Sequence, residues 1–188
     1  MNRKLLVVWA LVVVLLATPF IGTAHANRGQ NKKEWKSYDL EGILLEIADS
    51  TTTQNGPIVI IDGTRLPAGV VEMTATIDGI TYSYPEDFDY SEHFHLELNV
   101  ANTPPTGTLT VETVLTFNLP GNPAIKEWIV AGTTPSMGFS GTFQLSGTKM
   151  FNKVEGEGPD VAVQKPYGSG MALYASHIGL IKGWPFGE

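Results

Sequence analysis

Three groups of residues in this chain have the types and spacing to do chemistry. The first is His93, His95 and Glu97. On a β-strand alternate residues share a face, so these three point one way while Phe94, Leu96 and Leu98 point the other. Same-face neighbours stand roughly 6.6 Å apart along a strand, and two imidazoles at that spacing can converge on one metal ion. Two His and one carboxylate are also the ligand set of open, reactive metal sites. Against that, the three lie in a row, which carries Glu97 away from an ion shared by His93 and His95. The same alternation describes an amphipathic strand with a polar solvent face. The second group is Asp87, Asp89 and Glu92, in an acidic segment, 85–92, that reads as a loop. Its oxygens suit Ca²⁺, but it lacks the central Gly and final Glu of an EF-hand loop, and an exposed acidic turn looks the same. The third group is aromatic: Tyr82, Tyr84, Trp128, Phe139, Phe143 and Tyr174, with Tyr167 and Met171. These side chains suit the lining of a small-ligand cavity or a packed core, and His177 would be the one titratable group among them. No Gly-rich phosphate loop, Gly-x-Ser-x-Gly elbow or His-Glu-x-x-His pair occurs, so no catalytic residue or cofactor is assigned.

The elements that must position these groups are strands. The clearest signal is 70–77, then Asp78-Gly79, then 80–84. Asp-Gly tolerates the positive φ angles of a type I′ turn, whose twist matches a two-strand hairpin. Further strands are expected at 40–47, 58–62, 93–100, 108–119, 126–130, 139–145, 150–156 and 170–181. Ten-residue helical patterns are missing between them. Many short strands with Gly and Pro punctuation predict an all-β fold, an antiparallel β-barrel of about eight strands, with a β-sandwich as the alternative.

Composition bounds the partners. The 188 residues carry 12 Lys+Arg against 19 Asp+Glu, a formal charge of −7, which argues against a phosphate-binding surface for nucleic acid. With no cysteine there is no disulfide scaffold, thiolate metal site or lipid-modified cysteine. Asn2, Arg3 and Lys4 precede an unbroken apolar run from Leu5 to Leu16, and Ala24-His25-Ala26 fits a signal-peptidase site. Residues 1–26 therefore read as a signal peptide, 27–38 as a flexible lead-in and 39–188 as a single barrel domain. If the segment is retained, it anchors the protein in the membrane instead. Either way the expected location is extracytoplasmic, secreted or at the cell surface, and export without cysteine points to a prokaryote.

Phe143-Gln144-Leu145-Ser146-Gly147-Thr148, followed by Phe151, Val154, Gly156, Glu157 and Gly158, resembles a segment of the small secreted barrels of the allene oxide cyclase-like type. Dirigent-like and lipocalin-like barrels neighbour them. The resemblance covers about 40 residues, with Lys149 where the pattern favours a second Gly. It implies a barrel and transfers no catalytic residue. The function expected is a non-catalytic barrel that binds a small apolar ligand or a cell-surface component. The alternatives are a cyclase/isomerase-like enzyme, a metal-dependent enzyme using His93 and His95, and a self-associating surface protein, so a homo-oligomer is allowed for.

Overall fold

The computed structural model describes residues 34–134 and 138–186. The expected signal peptide and most of the lead-in lie outside the described residues. Eleven strands follow one another: β1 (Lys36–Leu45), β2 (Ala48–Asn55), β3 (Ile58–Arg65), β4 (Val70–Ile77), β5 (Ile80–Ser83), β6 (Phe88–Asn99), β7 (Thr106–Phe117), β8 (Ala124–Thr133), β9 (Phe139–Gly147), β10 (Glu155–Tyr167) and β11 (Gly170–Lys182). Two short 3-10 turns, Pro67–Gly69 and Lys149–Phe151, interrupt them, and no α-helix occurs among the described residues.

All eleven strands belong to one antiparallel, strongly curled sheet in the order β2-β3-β6-β7-β8-β9-β10-β11-β1-β4-β5. One sheet rather than two replaces the sandwich alternative, and eleven strands replace the expected eight or so. The strands β6 to β11 form a meander. The first four form one long bent ribbon instead: β1 runs on into β2 and β3 into β4, with β2 paired to β3 and β1 paired to β4. One half of that ribbon pairs with β11 and the other half with β6, at opposite ends of the strand order. The break lies at Glu46–Ile47 and Leu66–Gly69, where Leu66 N–H donates to the Ile47 carbonyl at 3.1 Å.

The Asp78-Gly79 hairpin is present, with φ of 54° and 80° at its two turn residues. Elsewhere the boundaries shift. β1 starts at Lys36, so Tyr38 is wholly buried strand rather than the end of a lead-in. β6 starts at Phe88, five residues before its expected start, so Asp89 and Glu92 are strand residues rather than loop. Residues 150–156, expected as a strand, are largely the Lys149–Phe151 turn and its exit. β2 and most of β10 were not expected.

The core separates along the strands. At one end Phe88, Phe117, Phe151 and Trp184 pack with Tyr82, Tyr84 and Phe186, and Trp184 stands 4.6 Å from the Phe151 ring. Above that aromatic plug lies a layer containing Tyr38, Leu40, Phe143 and Leu145 together with the buried polar side chains Glu92, Thr113, Glu127, Asp160 and His177. Beyond it the interior is not filled.

Candidate functional site

A cavity of about 390 Å³ occupies the interior beyond the polar layer. Its walls come from alternate residues of nearly every strand. β6 contributes Phe94, Leu96 and Leu98; β7 contributes Leu109 and Val111; β1, β8 and β11 contribute Leu44, Ile129 and Leu173. Such walls suit an apolar body, and the volume lies in the range of small-molecule sites. Glu46 and Ser50, both exposed, line the outer part, so the cavity reaches solvent. Gln164 Nε2 donates to Glu46 Oε1 at 2.6 Å there.

The floor is built by register. Arg65 on β3 stands opposite Glu92 on β6, Glu92 opposite Thr113 on β7, and Thr113 opposite Glu127 on β8. Four neighbouring strands thus carry one polar row across an otherwise apolar face. Arg65 Nε donates to Glu92 Oε2 at 3.1 Å, its Nη1 donates to the Leu45 carbonyl, and the Tyr90 hydroxyl donates to Glu92 Oε2. On the far side Asp160 and His177 are direct cross-strand partners on β10 and β11.

His177 joins the two sides. Its Nδ1 lies 2.8 Å from Glu127 Oε2 and its Nε2 lies 2.9 Å from Asp160 Oδ1, with all three side chains buried. Burial alone would lower the imidazole pKa. The Glu127 charge and the hydrogen bonds that the ring donates to Asp160 and Glu127 outweigh it and raise the value from 6.5 to about 10. His177 is therefore an imidazolium at neutral pH, donating from both nitrogens. Such a ring has no lone pair for a metal and no free nitrogen to accept a substrate proton. Tyr38 and Tyr90 are held protonated well above the ordinary phenol range, by burial first and then by the charges of Glu127 and Glu92 respectively.

Phe143 fixes the imidazole from below. Its ring lies 5.9 Å from that of His177 and 5.6 Å from that of Tyr38. It can reach that place because Gly158 and Gly179 have no side chain: a Cβ at either would stand 2.8 or 2.7 Å from the Phe143 ring.

Of the aromatic residues expected to line a cavity, Phe139 does so, as does His177. Tyr82 and Tyr84 belong to the aromatic plug and Phe143 to the buried core. Trp128 is 49% exposed on the outer face, and Tyr174 lies beneath Lys165, whose Nζ is 5.0 Å from its ring centroid. The alternation of β8 and β11 turns both away from the interior. His93, His95 and Glu97 do share one face of β6, the outer one; His95 Nδ1 lies 2.6 Å from Asp62 Oδ1. Among the described residues no three His, Asp or Glu side chains are grouped to hold a metal ion. Asp87 of the acidic segment caps a local turn, its Oδ2 accepting the Ser83 N–H at 2.8 Å, while Glu92 turns inward.

Glu127 and Asp160 escape the sequence reading as site residues, and Glu92 enters it only as a candidate Ca²⁺ ligand in a loop, although Glu92 and Glu127 each carried a signal. Glu127 shares a strand face with Ile125, Ile129 and Ala131, and Glu92 shares one with Phe94 and Leu96. An acid on an apolar strand face is the mark of a buried, partnered charge. Among the described residues no helix is long and apolar enough to cross a membrane. Comparison of the chain with protein-family models, with curated proteins and with solved structures finds no match.

Proposed function

We propose that this protein is an exported, non-catalytic β-barrel that holds one small, largely apolar ligand in its interior. The observation that carries the reading is the cavity of about 390 Å³, walled by aliphatic side chains and floored by buried charges. An unfilled interior costs the dispersion contacts that packing would supply, so keeping it open suits an occupant. Counting β1 with β2 and β3 with β4 as single bent staves, and leaving aside the short β5, gives eight staves with β6 to β11, which supports reading the curled sheet as a barrel. Eight strands make a barrel just wide enough for one small ligand. The sequence likeness to allene oxide cyclase-like and lipocalin-like barrels agrees with that count. Against catalysis stands His177, whose two nitrogens are both committed to carboxylates. Export rests on Arg3, Lys4, the apolar run and Ala24-His25-Ala26.

Titration of the purified protein with the neutral fluorophore N-phenyl-1-naphthylamine tests binding. A saturable, blue-shifted signal is expected. Leu96→Trp, which puts an indole into the cavity, should weaken it about tenfold while the far-ultraviolet circular dichroism stays unchanged. Equal binding by the variant would place the probe on the outer surface and defeat the proposal.

A further inference from the structure

The charges of the floor say what kind of small molecule the cavity takes, an inference that rests on the binding reading above. Three carboxylates, Glu92, Glu127 and Asp160, face two cations, Arg65 and His177. Both cations already have a carboxylate partner. Arg65 is held by Glu92 and the Leu45 carbonyl, although it has N–H donors beyond those two bonds, and His177 spends one nitrogen on Glu127 and the other on Asp160. With three carboxylates against two cations, the polar layer is richer in acceptor groups than in cations. Glu127 stands behind the floor rather than on it, since it does not line the cavity. Glu127 is wholly buried, and its Oε1 has no hydrogen-bond partner; neither has the buried hydroxyl of Tyr38. A desolvated carboxylate there acts on a cavity ligand through its charge alone, favouring a cation and penalising a second anion.

We infer that the cavity selects ligands whose polar end is a hydrogen-bond donor, a primary ammonium above all, and that it rejects carboxylates. The ammonium would stand on the floor beside Asp160 and Glu92, both of which face the cavity, with the Glu127 charge behind His177. Its alkyl body would lie along Leu96, Leu109 and Leu173. A fatty-acid-like ligand would need a free cation there, and Arg65 and His177 offer none that is not already paired.

Isothermal titration of the purified protein at pH 7 with 1-aminooctane, 1-octanol and octanoate separates the possibilities, since the three share one apolar body. The amine should bind one to one, about tenfold tighter than the alcohol, with octanoate weakest. Asp160→Asn, or Glu127→Gln should that variant not fold, should shrink the amine's advantage over the alcohol while leaving the alcohol's own affinity nearly unchanged. Alcohol and amine binding alike would overturn this inference and leave the binding reading standing. Octanoate binding tightest would overturn it outright. If none of the three binds, the binding reading falls and this inference with it.

Discussion

At the scale of single residues, the interior is dominated by one ion network. His177 sits between Glu127 on β8 and Asp160 on β10, and Asp39 on the neighbouring β1 also feels its charge. Its folded-state pKa of about 10 lies above the ordinary 6.5. The stabilisation from the imidazolium is therefore complete below about pH 6.5 and drains away as pH rises toward 10. The urea midpoint should fall across that window. His177→Gln should be less stable than the parent at pH 6 by about 3–5 kcal/mol, because two buried carboxylates lose their cation, and the gap should narrow toward pH 10. A gap that stays constant across the range would mean that the ring is neutral in the folded state. His93→Ala and His95→Ala act on the outer face of β6 and should stay within about 0.5 kcal/mol of the parent. His177 was legible in the sequence as a titratable group in an apolar strand. Its partners were not, because Glu127 and Asp160 are 33 residues apart and become neighbours only when β8 and β10 curl around β9.

At the scale of the element, what the sequence concealed follows from physical character. β2, with the sequence ADSTTTQN, is nearly all exposed at a sheet edge, so it shows no alternation of apolar and polar residues. β10 opens on EGEGPD, which carries the composition of a turn. It is a strand because Gly156 and Gly158 let neighbouring strands and side chains approach where a Cβ would collide: one at Gly158 would lie 2.4 Å from the Ile178 carbonyl oxygen. Where alternation is strong, as in β4 and β7, element type and inward face were readable. β11 is apolar on both faces, so its strand type alone was readable, and Tyr174, expected inward, points out. The same close approach separates two glycines by their expected cost. A Cβ at Gly179 would stand 2.4 Å from the Glu157 carbonyl oxygen and 2.7 Å from the Phe143 ring, whereas one at Gly132 meets nothing nearer than 3.9 Å. Gly179→Ala should therefore lower stability by about 1–3 kcal/mol through overpacking, and Gly132→Ala should be close to neutral. Denaturant midpoints decide it. Equal effects would mean that β10 and β11 part without cost, and that Phe143 is not what holds the imidazole in place.

At the scale of the whole domain, the described strands enclose two interiors of opposite design. The aromatic plug is packed: Phe151 and Phe117 are almost wholly buried, and Trp184 closes over both after the end of β11. The cavity end is open, and its aliphatic residues touch protein on one side only. Removing a side chain from close-packed surroundings forfeits transfer free energy and leaves a void, while trimming one that already faces empty space forfeits much less contact. Trp184→Ala should then cost about 3–5 kcal/mol, as large aromatic truncations in a core do. Leu96→Ala, on the cavity wall, should cost clearly less than the 2 kcal/mol or so at the low end for a core leucine. The charged layer of Glu92, Glu127, Asp160 and His177 lies between the two. Variants of the plug that remain folded should therefore keep the affinity for the naphthylamine probe, and Leu96→Ala should change that affinity at nearly unchanged stability. Urea titrations and probe binding on the same two variants test both halves together. If Leu96→Ala proves as destabilising as Trp184→Ala, the space beyond the polar layer is closed core in solution, and the case for a ligand there is lost.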